Sequence, residues 1–136
     1  MQVSLDKELH LYAIHAYDET GITLILPPHL AVDPSQRRLY VEHSLILSPH
    51  IHKEWQAKSF DGLKAEHLTV CLEYKPEVVL LGCGATMHFP GEEVLAPLYR
   101  QGVGVELMST AAACRTFNIL ANEGRDVVAL MLPPNA

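Results

Sequence analysis

Two short stretches hold the side chains best suited to chemistry. Gly82-Cys83-Gly84-Ala85-Thr86 follows one apolar run, and Ser109-Thr110 follows another and opens a helical pattern. The glycines permit a tight turn with bare backbone N–H groups, and a helix start adds unpaired N–H groups and a positive dipole end. Side by side, they suit a small anion, with Arg115 in the second helical turn supplying a cation. The candidate binding pocket is therefore Gly82, Cys83 and Gly84 from the turn and Glu106, Ser109 and Thr110 from the second run and its end. Cys114, Arg115 and Asn118 join them from the helix that follows.

Each of these readings has a plainer rival. Gly-x-Gly after a strand is often only a tight turn, and Met87 stands where a dinucleotide fingerprint has its third glycine. Glu106 interrupts an apolar strand and needs a partner if buried, Arg115 and Arg125 being the candidates, but a paired or rim-exposed glutamate is no catalyst. Cys83 and Cys114 can approach each other, and a helix N-terminus lowers a thiol pKa. Against that, no C-x-x-C is present, and buried cysteine is commonly inert packing. His50-Ile51-His52, with His43 nearby, puts two imidazoles on one strand face. A zinc site wants three or four ligands, so a solvated loop is the expectation and no metal or cofactor is implied. Hydrolase, zinc-protease and P-loop signatures are missing.

The elements that must position these residues lie between Pro76 and Pro133. Residues 78–83, 103–108 and 127–132 are Val- and Leu-rich runs of strand length, the first and third apolar almost throughout, as strands buried on both faces are. Residues 91–101 read as a helix with Glu92 and Glu93 in its first turn and Gly102 beyond its end, Pro97 predicting a kink or a late start. The second helix is capped by Ser109 or Thr110 and closed by Gly124. Its apolar face is Ala113, Phe117, Leu120 and Ala121, with Cys114, Arg115, Asn118 and Asn122 on the opposite side. Crossovers of this length join parallel strands in a right-handed sense. Ligands of such sheets bind beyond the strands' carboxyl ends, where both candidate stretches fall.

The first half reads as antiparallel. Residues 9–16 and 22–26 are strands about a turn at 17–21; 39–47 is another, interrupted near Glu42, and 55–60 a further short one. Residues 65–74 form a helix with Leu68, Leu72 and Cys71 inward. The expected fold class is α/β, in one domain over residues 1–136. It is a three-layer arrangement around a mixed β-sheet, with a C-terminal parallel β-α-β-α-β unit and an N-terminal antiparallel β portion.

Composition narrows the partners. A formal charge of −6 without a basic stripe argues against nucleic acid. Three cysteines are too few and too odd in number for a disulfide scaffold, which favours a reducing compartment. MQVSLDKELH lacks a basic start followed by an apolar run, and no apolar stretch is long enough to span a membrane. The expectation is a soluble, cytoplasmic protein.

The second half resembles the domain of unknown function 498 family, which includes mitochondrial complex I assembly factor 3 and many small bacterial and archaeal proteins. The likeness is carried by Pro76-Glu77-Val78-Val79-Leu80-Leu81-Gly82-Cys83-Gly84, by Phe89-Pro90 and by Gly102-Val103-Gly104-Val105-Glu106-Leu107-Met108-Ser109-Thr110. It continues through Ala112-Ala113-Cys114-Arg115-Thr116-Phe117-Asn118-Ile119-Leu120 and Glu123-Gly124-Arg125. Cys83 stands where relatives often carry threonine, which weakens any thiol mechanism. The resemblance implies a three-layer α/β fold and does not supply an enzyme. It implies a non-catalytic binding or assembly module whose partner is another protein, and, by analogy, help in assembling respiratory complex I. The alternative is a small-molecule or anion binder, an enzyme included, at the carboxyl ends of the parallel strands.

Overall fold

Alternating apolar residues about a tight turn fold the first described segments into a hairpin. β1 (Ala13–Tyr17) pairs antiparallel with β2 (Ile22–Ile25), and β2 with β3 (Arg38–Val41), giving a three-stranded sheet. At the first turn the Asp18 carboxylate accepts hydrogen bonds from the N–H groups of Thr20 and Gly21, each at 2.9 Å. The computed structural model describes Met1 and residues 10–136, so Leu9 of the expected first strand lies outside the described residues.

The remaining strands form a second, mixed sheet in the order β5-β4-β8-β6-β7: β4 (Leu45–Leu47), β5 (His52–Glu54), β6 (Val78–Gly82), β7 (Gly104–Met108) and β8 (Val127–Met131). β6 is parallel to both β7 and β8, whereas β4 is antiparallel to β8 and to β5. The expected α/β class and its parallel C-terminal unit are thus present. Helix α1 (Ala65–Thr69), continued by a 3-10 turn (Val70–Tyr74), precedes β6; α2 (Glu92–Arg100) joins β6 to β7, and α3 (Thr110–Asn122) joins β7 to β8.

Strand parity divides the interior in two. Val78 and Leu80, with Val127, Ala129 and Met131, face a cluster shared with α3 and the three-stranded sheet. Val79 and Leu81, with Val128, Leu130 and Leu132, face a cluster shared with α1 and α2. Every residue of β6 and β8 is buried, which is why both read as unbroken apolar runs. Each fully buried leucine here contributes about 1.5–3 kcal/mol relative to exposure.

Several local expectations change. The run 39–47 is two strands in two different sheets: Val41 and Leu45 enter the same cluster from different sheets, and the chain crosses over at Glu42–Ser44. Residues 55–60 are not a strand. β5 lies just before them, and Trp55, 1% exposed, is instead an anchor whose indole N–H donates to the His67 carbonyl of α1 at 2.8 Å. The helix expected at 65–74 tightens from α to 3-10 after Thr69; at about three residues per turn, Cys71 follows Leu68 inward and Leu72 is left half-buried. α2 starts at Glu92 and runs through Pro97, so the proline does not delay it. In α3, Cys114 and Asn118 are buried instead of facing solvent, because the helix packs against β1 as well as against β6 and β8 and so buries a wide arc.

Candidate functional site

β6 and β7 run side by side, so the turn after Leu81 and the start of α3 do meet. Gly82 lies beside Met108 on one flank and Met131 on the other. Gly84 has φ 93°, a left-handed backbone that glycine adopts without strain, and a Cβ there would run into the Ala136 carbonyl. At Gly82 a Cβ would stand 3.0 Å from the Thr110 hydroxyl. The glycines therefore serve close packing between the turn, α3 and the segment after β8.

The polar groups of this junction bond one another. The fully buried Thr110 hydroxyl accepts from the Gly84 N–H at 2.9 Å and donates to the Leu132 carbonyl at 2.7 Å. The Thr110 N–H donates to the Gly84 carbonyl at 2.9 Å, and the Cys83 N–H to Met108 at 2.8 Å. Leu132 donates to Gly82 at 3.0 Å, and Ala85 to Ala136 at 2.9 Å. Ser109 is the helix N-cap, its side chain accepting from Ala112 at 3.2 Å. The N–H groups of Gly84, Ala85 and Ala112, which an anion would use, are thus engaged within the chain.

The other candidates stand apart. Cys83 packs in the α1–α2 cluster with its thiol 3.5 Å from the His88 carbonyl, whereas Cys114 lies in the cluster on the opposite sheet face. They do not approach each other. Burial raises both thiol pKa values, that of Cys114 to about 12 with Arg115 opposing, so the helix does not activate them. Glu106 is exposed on β7, an edge strand, so it needs no buried partner. Arg115 donates to the Tyr17 hydroxyl at 2.7 Å, and Arg125 reaches Glu77 at 3.3 Å.

Asn118 has the role that residue spacing concealed. Its side-chain carbonyl accepts from the Ile14 N–H at 2.9 Å, and its amide donates to the Ile14 carbonyl at 2.8 Å. It thereby pairs with β1 as a neighbouring strand would, beside the irregularity between Ile14 and Ala16. His50 lines a cleft of ≈ 330 Å³ with His10, Asn122 and Arg125, while His52 contacts the Tyr12 hydroxyl at 3.0 Å. Among the described residues, no three His, Cys, Asp or Glu side chains are grouped to hold a metal ion.

Sequence reasoning also passed over a groove of ≈ 340 Å³ between β5 and α1 with its 3-10 extension. Ile46, Trp55 and Val70 supply apolar lining, and Glu66 and Glu73 supply carboxylates. The signal available was Val70, an apolar residue 40% exposed, set between glutamates at 66 and 73.

A family model described as "Protein of unknown function (DUF498/DUF598)" matches residues 14–132. The "13 kDa major membrane protein" of Francisella tularensis subsp. holarctica is 35% identical over 92 residues, covering 66% of this chain and 75% of that protein. The Danio rerio "NADH dehydrogenase (ubiquinone) 1 alpha subcomplex assembly factor 3" is 38% identical over 93 residues, 67% of this chain and 53% of its own length. The chain thus spans about half of that assembly factor. A crystal structure of a Bordetella parapertussis protein superposes with TM-score 0.76 at 34% identity, covering 90% of this chain and 96% of that one.

Proposed function

The chain belongs to the DUF498/DUF598 family of proteins of unknown function, and from that footing we propose that it is a non-catalytic module that binds another protein and assists its assembly. Respiratory complex I is the assembly proposed, by analogy with the assembly-factor relatives. The observation that carries this reading is the junction at Thr110. Residues whose types suggested ligand chemistry there spend their polar groups on one another, and Asn118 spends its own on β1. They maintain a shape, and a maintained shape serves recognition. The same arrangement weighs against an anion held at the turn.

The test is affinity capture of the tagged chain from its own cells, with cross-linking before lysis. A defined partner recovered in stoichiometric amount, a complex I subunit or precursor among those expected, supports the proposal. Recovery of no partner by a folded chain overturns it. The reading also places the chain in the cytoplasm. Among the described residues no helix is long and apolar enough to cross a membrane, and a membrane pellet from which high salt does not release the chain would overturn that placement.

A further inference from the structure

Among the described residues, the β5 side of the large sheet ends in unused backbone. Trp55 donates to the Ser44 carbonyl and Ser48 to the Ile51 carbonyl, both at 2.9 Å, so residues 51, 53 and 55 turn their backbone groups toward β4. By alternation, His52 and Glu54 each turn an N–H and a C=O away from the sheet. Such an edge is a template for one more strand.

Beside that edge lies the groove of ≈ 340 Å³. Lys53 is opposite Ile46, whose side chain faces the α1–α2 cluster, so the residue of an added strand opposite Lys53 points to the same side. There it meets the exposed Val70, seated over the buried Ile46 and Trp55. Its neighbours two positions away on that face come within reach of Glu66 and Glu73, both exposed. Glu66 and Glu73 outnumber Lys53 among the charged side chains on that face; Glu54, opposite Leu45, turns its side chain to the other face.

We propose that this edge and groove bind an extended segment of a partner protein, added as a strand beside β5, with one apolar anchor flanked on the same face by lysine or arginine. Main-chain hydrogen bonds to His52 and Glu54 give affinity, and the groove reads alternate side chains. This rests on the protein-binding reading above and names the chemistry of the partner's segment.

The test is selection from a phage-displayed random library of peptides about eight residues long, the length of an ordinary strand, on the folded full chain. Selected sequences are expected to carry one apolar residue with a basic residue two positions to either side of it. Their binding should slow amide exchange at His52 and Glu54 and weaken with added salt. Glu54→Pro removes an outward donor and a charge while sparing the ladder to β4, and should weaken binding about tenfold. The double variant Glu66→Lys/Glu73→Lys, confined to exposed side chains, should do the same and serves if the proline variant fails to fold. No enrichment, selected peptides without basic residues, protection at another edge, or binding indifferent to both variants overturns the proposal. A cellular partner captured equally by wild type and both variants also overturns it, and leaves the protein-binding reading standing.

Discussion

Asn118 is the residue on which the amino-terminal sheet is hung. Its amide replaces a missing strand for Ile14, and replacing it by leucine leaves a buried N–H and a buried C=O without partners. At about 1–3 kcal/mol for each abandoned group, Asn118→Leu should lose roughly 2–6 kcal/mol. Urea unfolding measures this, and a loss below about 1 kcal/mol would show that Ile14 finds other partners. Thr110 allows a cleaner comparison. Thr110→Ser keeps the hydroxyl between Gly84 and Leu132, whereas Thr110→Val is closer in shape but silent toward both. The valine variant should be the less stable by about 1–3 kcal/mol, and equal stability would deny the hydroxyl its bridging role. All three thiols are buried, and Cys71 and Cys114 are pushed up to about 11 and about 12 by burial. A thiol reagent at mildly alkaline pH should therefore label native protein far more slowly than unfolded protein. Rapid native labelling at one cysteine would reopen the nucleophile reading for that position.

At the level of elements, the same logic explains what the chain discloses unaided. β6 and β8 are legible because burial on both faces makes them uninterrupted apolar runs, and α3 because Ser109 and Gly124 mark its ends. The meeting of the glycine turn with the start of α3 follows from parallel strands alone. What fills that meeting place does not. Ala136 and Leu132 arrive from beyond β8, and Ile14 lies 104 positions before Asn118, so spacing along the helix shows only a polar residue. The break between β3 and β4 is legible near Glu42, but that its two sides belong to different sheets is not, because each side alone reads as an ordinary apolar strand. β5 also carries a pH dependence. Burial, and next the charge of His43, depress the His52 pKa below its ordinary 6.5. The unfolded chain then binds the proton more readily. The contribution of neutral His52 is complete above about 6.5 and is lost as pH falls through the lower native value. Denaturation midpoints followed downward from neutral pH should fall more steeply for wild type than for His52→Gln; parallel curves would remove His52 as the cause.

For the molecule as a whole, the large sheet is the partition between two interiors, and its central strands belong to both. Leu80, fully buried on the α3 side, and Leu81, fully buried on the other, are neighbours in sequence that support different layers. Either one changed to alanine should cost about 2–5 kcal/mol. Both losses should appear in a single cooperative transition, because β6 carries them together; two separated transitions would mean that the layers melt independently.

One helix holds both the first strand and the segment that follows the last: Thr110 grips Leu132, and Asn118 grips Ile14. Synthesis meets these attachments in a fixed order. Ile14 leaves the ribosome long before Asn118 exists, so its N–H and C=O wait for that amide through most of translation. The nascent amino-terminal sheet is thus sticky for as long as α3 is unmade, and a message truncated before codon 118 should yield a product that depends on chaperones or precipitates.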